Sequence, residues 1–137
     1  MPTVDQRPQA ALNAASSRST CICLLDDDLS MLKALGRLLT CEGHQIKQFS
    51  CPATFLDSIG ESRCPVAIVD VWMPGMNGLE VQEALRKESP ETRIIFMSGR
   101  DDPSVRQTAL DAGAFGFLSK PFHDETLVRL VHEALAT

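Results

Sequence analysis

Asp26, Asp27 and Asp70, the Ser98 hydroxyl and the Lys120 ammonium are the groups of this 137-residue chain whose types and positions could do chemistry together. Each follows a short apolar run. Asp26-Asp27-Asp28 comes after Cys21-Ile22-Cys23-Leu24-Leu25, and Asp70 after Val66-Ala67-Ile68-Val69. Ser98-Gly99 follows Arg93-Ile94-Ile95-Phe96-Met97, and Ser119-Lys120-Pro121 follows Ala114-Phe115-Gly116-Phe117-Leu118. Such runs read as parallel strands buried on both faces. Ligands of open α/β sheets bind outside the carboxyl ends of the strands, where the strand order reverses. Four strands therefore deliver three carboxylates, a hydroxyl and an ammonium to one end of a sheet. Carboxylates without imidazole or thiol partners suit a hard divalent cation, and Mg²⁺ takes one or two of them while leaving room for phosphate oxygens. A carboxylate at the mouth of a buried strand beside two others is costly unless a cation holds them. Lys120 opposite such a site, with a small hydroxyl beside it, makes a pocket for a tetrahedral dianion at a carboxylate nucleophile. An acidic triplet is also an ordinary helix start, because carboxylates favour the N-terminal dipole.

The elements that must position these groups alternate along the chain. Gln45-Ile46-Lys47-Gln48-Phe49 alternates in polarity and ends in Ser50 without an ionisable group, so it is assigned to a sheet edge. Leu32, Leu35, Gly36 and Leu39 fall at helical spacing, as do Leu127, Leu130, Val131 and Ala134. Shorter helical stripes are Pro52, Phe55, Leu56 and Ile59; then Val81, Ala84 and Leu85; then Val105, Ala109 and Ala112. Gly43 can end the first helix in a left-handed conformation, and Asp102-Pro103 supplies an N-cap followed by proline at the first helical position. The order is (βα)5, an α/β fold over residues 21–137, with residues 1–20 read as a flexible tail.

Composition excludes several classes. The chain holds 13 basic and 18 acidic side chains, a net charge of −5. Residues 1–20 contain two basic and one acidic, which leaves 11 and 17 in the remainder and a charge of −6 there. A domain that gripped nucleic-acid phosphates by itself is expected to be basic. With 44% hydrophobic residues the chain can bury a core. No apolar run approaches the roughly 18 residues of a membrane span, no signal peptide opens the chain, and the protein is placed in the cytoplasm without membrane contact. Cys21, Cys23, Cys41, Cys51 and Cys64 form no C-x-x-C pair and read as reduced thiols, with Cys21 and Cys23 on one strand face.

The set Asp26-Asp27, Asp70, Ser98 and Lys120-Pro121 resembles a response regulator receiver (CheY-like) domain. The motifs that carry the resemblance are Leu24-Leu25-Asp26-Asp27-Asp28, Val69-Asp70-Val71-Trp72-Met73-Pro74-Gly75-Met76-Asn77-Gly78, Met97-Ser98-Gly99 and Gly113-Ala114-Phe115-Gly116-Phe117-Leu118-Ser119-Lys120-Pro121-Phe122. Spacings of 28 residues from Asp70 to Ser98 and 22 from Ser98 to Lys120 are similar to receivers of the NarL/FixJ type, which usually precede a LuxR-family helix-turn-helix output domain. The resemblance implies a doubly wound, flavodoxin-like three-layer sandwich with a parallel five-stranded sheet in order 2-1-3-4-5. It further implies that Asp70 accepts a phosphoryl group from a sensor histidine kinase, with Mg²⁺ or Mn²⁺ as cofactor. Asp27 would bind the metal directly, Asp26 largely through water, and the Trp72 backbone carbonyl would complete the protein ligands. Ser98 and Lys120 would contact the phosphoryl oxygens, Phe117 takes the aromatic switch position, and Lys120-Pro121 would be a cis peptide. A core role for Phe117 is compatible with switching.

Two-component signalling and transcription regulation follow from the resemblance, with phosphorylation-dependent dimerisation through the fourth helix and fifth strand, where Leu110 is a candidate contact. The chain is expected to be a free-standing receiver in a phosphorelay or a part of a longer regulator whose DNA contacts belong to an output domain outside it. Trp72 departs from the family by placing an indole two residues after Asp70; its bulk, with Arg100, is expected to restrict attacking water. Two rivals remain. A Mg²⁺-dependent aspartyl-phosphate phosphohydrolase of the haloacid-dehalogenase type needs Asp-x-Asp after its first strand, where this chain has adjacent aspartates. A flavin-binding domain needs a Ser/Thr/Gly-rich phosphate loop there, and an acidic triplet would repel the flavin phosphate.

Overall fold

A computed structural model describes residues 21–62 and 64–137; the tail read over residues 1–20 lies outside the described residues. Strands β1 (Cys21–Leu25), β2 (Gln45–Phe49), β3 (Val66–Asp70), β4 (Arg93–Ser98) and β5 (Gly116–Ser119) alternate with helices α1 (Leu29–Cys41), α2 (Pro52–Glu61), α3 (Gly78–Glu88), α4 (Pro103–Asp111) and α5 (Asp124–Ala136). The strands form one parallel sheet in the order β2-β1-β3-β4-β5, as expected. Every residue of β1 and β3 is buried, whereas β2 keeps Gln45 and Gln48, one on each face, in solvent and buries none of its residues fully, as befits an edge strand. The fifth strand begins two residues later than the apolar run suggests. Phe115 still donates its N–H to Ile94 O, but Ala114 N–H goes to Ala109 O and closes the turn after α4.

Two apolar layers flank the sheet. On one side Leu32, Leu35 and Leu39 of α1 meet Leu127, Val131 and Ala134 of α5 over Ile22, Leu24, Ile68 and Ile95. On the other, Phe55 and Ile59 of α2, Val81 and Leu85 of α3 and Ala109 of α4 cover Cys23, Leu25, Val69 and Phe96. The helical stripes of the sequence are the buried faces. Gln82, which belongs to no apolar stripe, is also buried and donates from Nε2 to Ala109 O, tying α3 to α4.

Capping fixes where the helices begin relative to the strand ends. Asp28 accepts the N–H groups of Ser30 and Met31, and Asp102 accepts those of Ser104 and Val105. Asn77 and Glu80 form a reciprocal capping box at the start of α3. Gly43 takes φ +93° just after α1, a conformation that costs a side-chain-bearing residue strain. All five cysteines are free thiols, and Cys21, Cys23 and Cys64 are buried. Burial pushes the Cys21 thiol up to about 11, and a hydrogen bond with Cys23 together with burial raises Cys64 further, so both remain neutral.

Candidate functional site

The carboxyl ends of β1, β3, β4 and β5 converge. Asp70 is the last residue of β3 and pairs in register with Met97, so Ser98 stands one rung beyond it at the end of β4. Ser98 in turn pairs with Ser119, which places Lys120 immediately past the end of β5. Lys120 N–H donates to Ser98 O at 2.7 Å, a backbone rung that extends the β4–β5 ladder by one residue. Asp26 follows β1; its N–H donates to Phe49 O and its Oδ1 accepts the Asp28 N–H at 2.9 Å, which orients the carboxylate.

Carboxylate oxygens of Asp26, Asp27 and Asp70 all lie within 4.8 Å of one another. Asp26 and Asp70 are buried and Asp27 is exposed, so the cluster has one wall in solvent. Lys120 Nζ sits 3.1 Å from Asp26 Oδ2 and 3.2 Å from Asp70 Oδ1, one ammonium bridging two buried carboxylates. Asp28 is not part of the cluster and acts as the helix cap.

The electrostatics follow from that crowding. Burial, with the adjacent Asp26 charge, pushes the Asp70 carboxyl up to about 6 although Lys120 pulls it down. Burial alone would lower Lys120, but Asp70 and Asp26 outweigh it and raise its affinity for the proton. The two buried carboxylates thus share the Lys120 ammonium, with Asp27 beside them. A cluster of hard oxygen donors with no nitrogen or sulfur, open on one side, fits a divalent cation that keeps part of its water shell.

The hydroxyl side of the site is arranged differently from a bare strand end. Ser98 is buried, its hydroxyl donates to Arg100 O at 2.7 Å, and it accepts the Arg100 N–H at 3.1 Å and the Trp72 Nε1–H at 2.9 Å. The Arg100 guanidinium lies over the Trp72 ring at 4.5 Å. Trp72 is half-buried against the core and not simply an exposed aromatic. Phe117 is half-buried too, its ring 6.2 Å from Phe96 and covered by the Arg106 guanidinium at 5.4 Å. The Lys120-Pro121 peptide is cis.

Sequence spacing singled out the groups that meet here, but two relationships escaped it. The reach of Lys120 to Asp26 depends on the twist of a sheet that sets the two strands three places apart. The Trp72–Ser98 hydrogen bond joins residues 26 apart whose only linear signal was the unusual indole after Asp70.

A family model described as the response regulator receiver domain matches residues 22–132. The response regulator protein TodT of Pseudomonas putida strain F1 is 39% identical over 127 residues, covering 93% of this chain and 56% of that protein. The transcriptional regulatory protein FixJ of Bradyrhizobium diazoefficiens is 31% identical over 114 residues, 83% of this chain and 56% of its own. The chain therefore spans about half the length of the curated relatives it matches. Among solved structures, the beryllofluoride-activated NtrC4 receiver domain dimer superimposes with a TM-score of 0.82 at 26% identity, over 85% of this chain and 97% of that one. Family match, relatives and the five-stranded sheet with its acidic mouth agree: this chain belongs to the response regulator receiver family and is a receiver domain of a two-component response regulator.

Proposed function

We propose that Asp70 is the phospho-acceptor of this receiver, supplied by a sensor histidine kinase. The observation that carries the reading is the Lys120 ammonium held 3.2 Å from Asp70 Oδ1 beside a cluster of three carboxylates. An Asp70 oxygen attacks the donor's phosphorus in line; its bond to phosphorus forms as the bond from phosphorus to the donor's imidazole nitrogen breaks, leaving an acyl phosphate. Lys120 lies where charge builds on the transferring oxygens and neutralises it without proton transfer. Asp27 and Asp26, with the Trp72 carbonyl, are the groups that would hold Mg²⁺ or Mn²⁺ together with Asp70. When bound, that cation supplies charge neutralisation and an orienting template for phosphate oxygens.

The product is a signal and not a released metabolite. Phosphorylation exchanges one carboxylate charge for a dianionic group beside Ser98 and Lys120, and Ser98 and Phe117 are the residues placed to answer it. The answer on this reading is association of two copies through α4 and β5, where Leu110 is exposed and Arg106 covers Phe117. Transcription control through an output domain outside this chain fits the longer relatives; a free-standing receiver in a phosphorelay is the second form of the same reading.

Incubation with acetyl phosphate and Mg²⁺, followed by intact mass measurement, is expected to show one phosphoryl adduct that Asp70→Asn abolishes while folding is kept. An adduct persisting in Asp70→Asn, or steady turnover of unrelated phosphate esters, would overturn the assignment in favour of the phosphohydrolase alternative.

A further inference from the structure

Ser98 carries one O–H and two lone pairs, and all three are occupied. The proton goes to Arg100 O, and the lone pairs receive Arg100 N–H and Trp72 Nε1–H. A hydroxyl in that arrangement has no proton left for a phosphoryl oxygen on Asp70. It can make such a bond only by releasing the Arg100 carbonyl, and the indole N–H resists the movement because it would lose its acceptor.

The indole is itself held. The guanidinium of the residue whose backbone grips Ser98 lies over the Trp72 ring, so residues 72, 98 and 100 close a loop of contacts: indole to hydroxyl, hydroxyl to Arg100 backbone, Arg100 side chain to indole. Ser98 is buried, so no bulk water stands ready to replace a partner that leaves. The contact also runs from the segment directly after Asp70 to the end of β4, the strand beside it.

We propose that Trp72 is a positioning residue for Ser98: its indole N–H clasps the hydroxyl in a saturated arrangement, and phosphorylation of Asp70 requires that the clasp open. This rests on the reading of Asp70 as the phospho-acceptor. It differs from shielding by bulk, because the acting group is a single N–H and the effect must pass through the Ser98 oxygen.

Trp72→Phe keeps an aromatic ring and removes the donor together with part of the indole's bulk; the Ser98→Ala background separates the two, because a bulk effect would persist there. The initial rate of adduct formation with acetyl phosphate and Mg²⁺ is expected to rise about 2- to 10-fold, the range that one net hydrogen bond is worth. In a Ser98→Ala background the same substitution is expected to change the rate by a factor near one, and Ser98→Thr is expected to restore the sensitivity. A second readout needs no variant. Trp72 is the single tryptophan of the chain, so one indole N–H resonance reports the clasp, and beryllofluoride with Mg²⁺ is expected to shift it and speed its exchange with solvent. An unchanged rate in Trp72→Phe, an equal effect with and without the Ser98 hydroxyl, or an indole resonance indifferent to beryllofluoride would overturn the proposal while Asp70 still took up its adduct. Absence of any adduct in the unmodified protein would instead overturn the phospho-acceptor reading and the clasp's role in it.

Discussion

Asp26 and Asp70 share one counter-ion: Lys120 reaches from the end of the outer strand β5 past β4 to Asp70, and on to Asp26 beyond β1. Two buried carboxylates on neighbouring strands are tolerated because the ammonium stands between them. Removal of that ammonium leaves both without their shared counter-charge, although Asp26 keeps the Asp28 N–H.

Lys120→Met is accordingly expected to destabilise the metal-free protein by about 1–3 kcal/mol, the penalty for stranding charged partners at a partly buried site. Thermal melts in chelator measure it, and added Mg²⁺ should recover part of the loss. The same variant should form the phosphoryl adduct at least about tenfold more slowly.

The raised Asp70 carboxyl gives a pH dependence with a definite sign. A folded-state value of about 6 against an ordinary value of 3.8 means the native protein holds this proton longer than the unfolded chain does. Its contribution to stability is full below about pH 4 and is lost as pH rises through about 6. Without divalent cation, the melting temperature of the unmodified protein should therefore fall relative to Asp70→Asn across that window. At pH 7 Asp70→Asn is expected to melt higher by about 5 °C, the shift that roughly 1 kcal/mol gives in a domain of this size. Mg²⁺ should close the gap above pH 6 and do little at pH 4.

Gly78 opens α3 against the back of the site. A Cβ there would lie 2.9 Å from Val71 Cα and from Phe96 Cε1, and 3.1 Å from Asp70 O. Two of the three obstacles are backbone that cannot swing aside. Gly78→Ala is expected to cost about 1–3 kcal/mol in denaturant titrations and to weaken Mg²⁺ binding, because relief must come from moving the segment just after Asp70.

Beryllofluoride with Mg²⁺ is expected to shift the protein from monomer towards dimer in light scattering, since Leu110 stays exposed on α4 beside the Arg106–Phe117 stack. Leu110→Arg should abolish the shift without touching the adduct on Asp70. A dimer that forms equally well in Leu110→Arg would place the interface elsewhere.

Much of this was legible in the linear chain because local patterns and the fold agree. Buried strands announced themselves as continuous apolar runs, β2 as an alternating one, the acidic triplet as a helix start and Asp102 as a cap. The residues of the site could be listed because each follows a strand. What could not be read were contacts that depend on how far apart the strand ends finally stand. Gln82 looks like a solvent-facing helical residue until α4 closes over it and offers Ala109 O. Trp72 could be seen as bulky, but its N–H partner is set by the register of β3 on β4. The start of β5 was read too early because Ala114 and Phe115 are apolar in a turn that also packs on the core.

The backbone bond from Lys120 to Ser98 has a further consequence for what can vary. It closes the β4–β5 ladder at 2.7 Å, so the stretch of α4 and its flanking turns leaves the sheet after Ser98 and returns to it between paired strands. Side chains on the outer surface of that loop can be exchanged, and the recognition face thereby rewritten, while the hydroxyl and the ammonium keep their mutual spacing. Chemistry at the two ends of this stretch and address on its outer face thus remain separable.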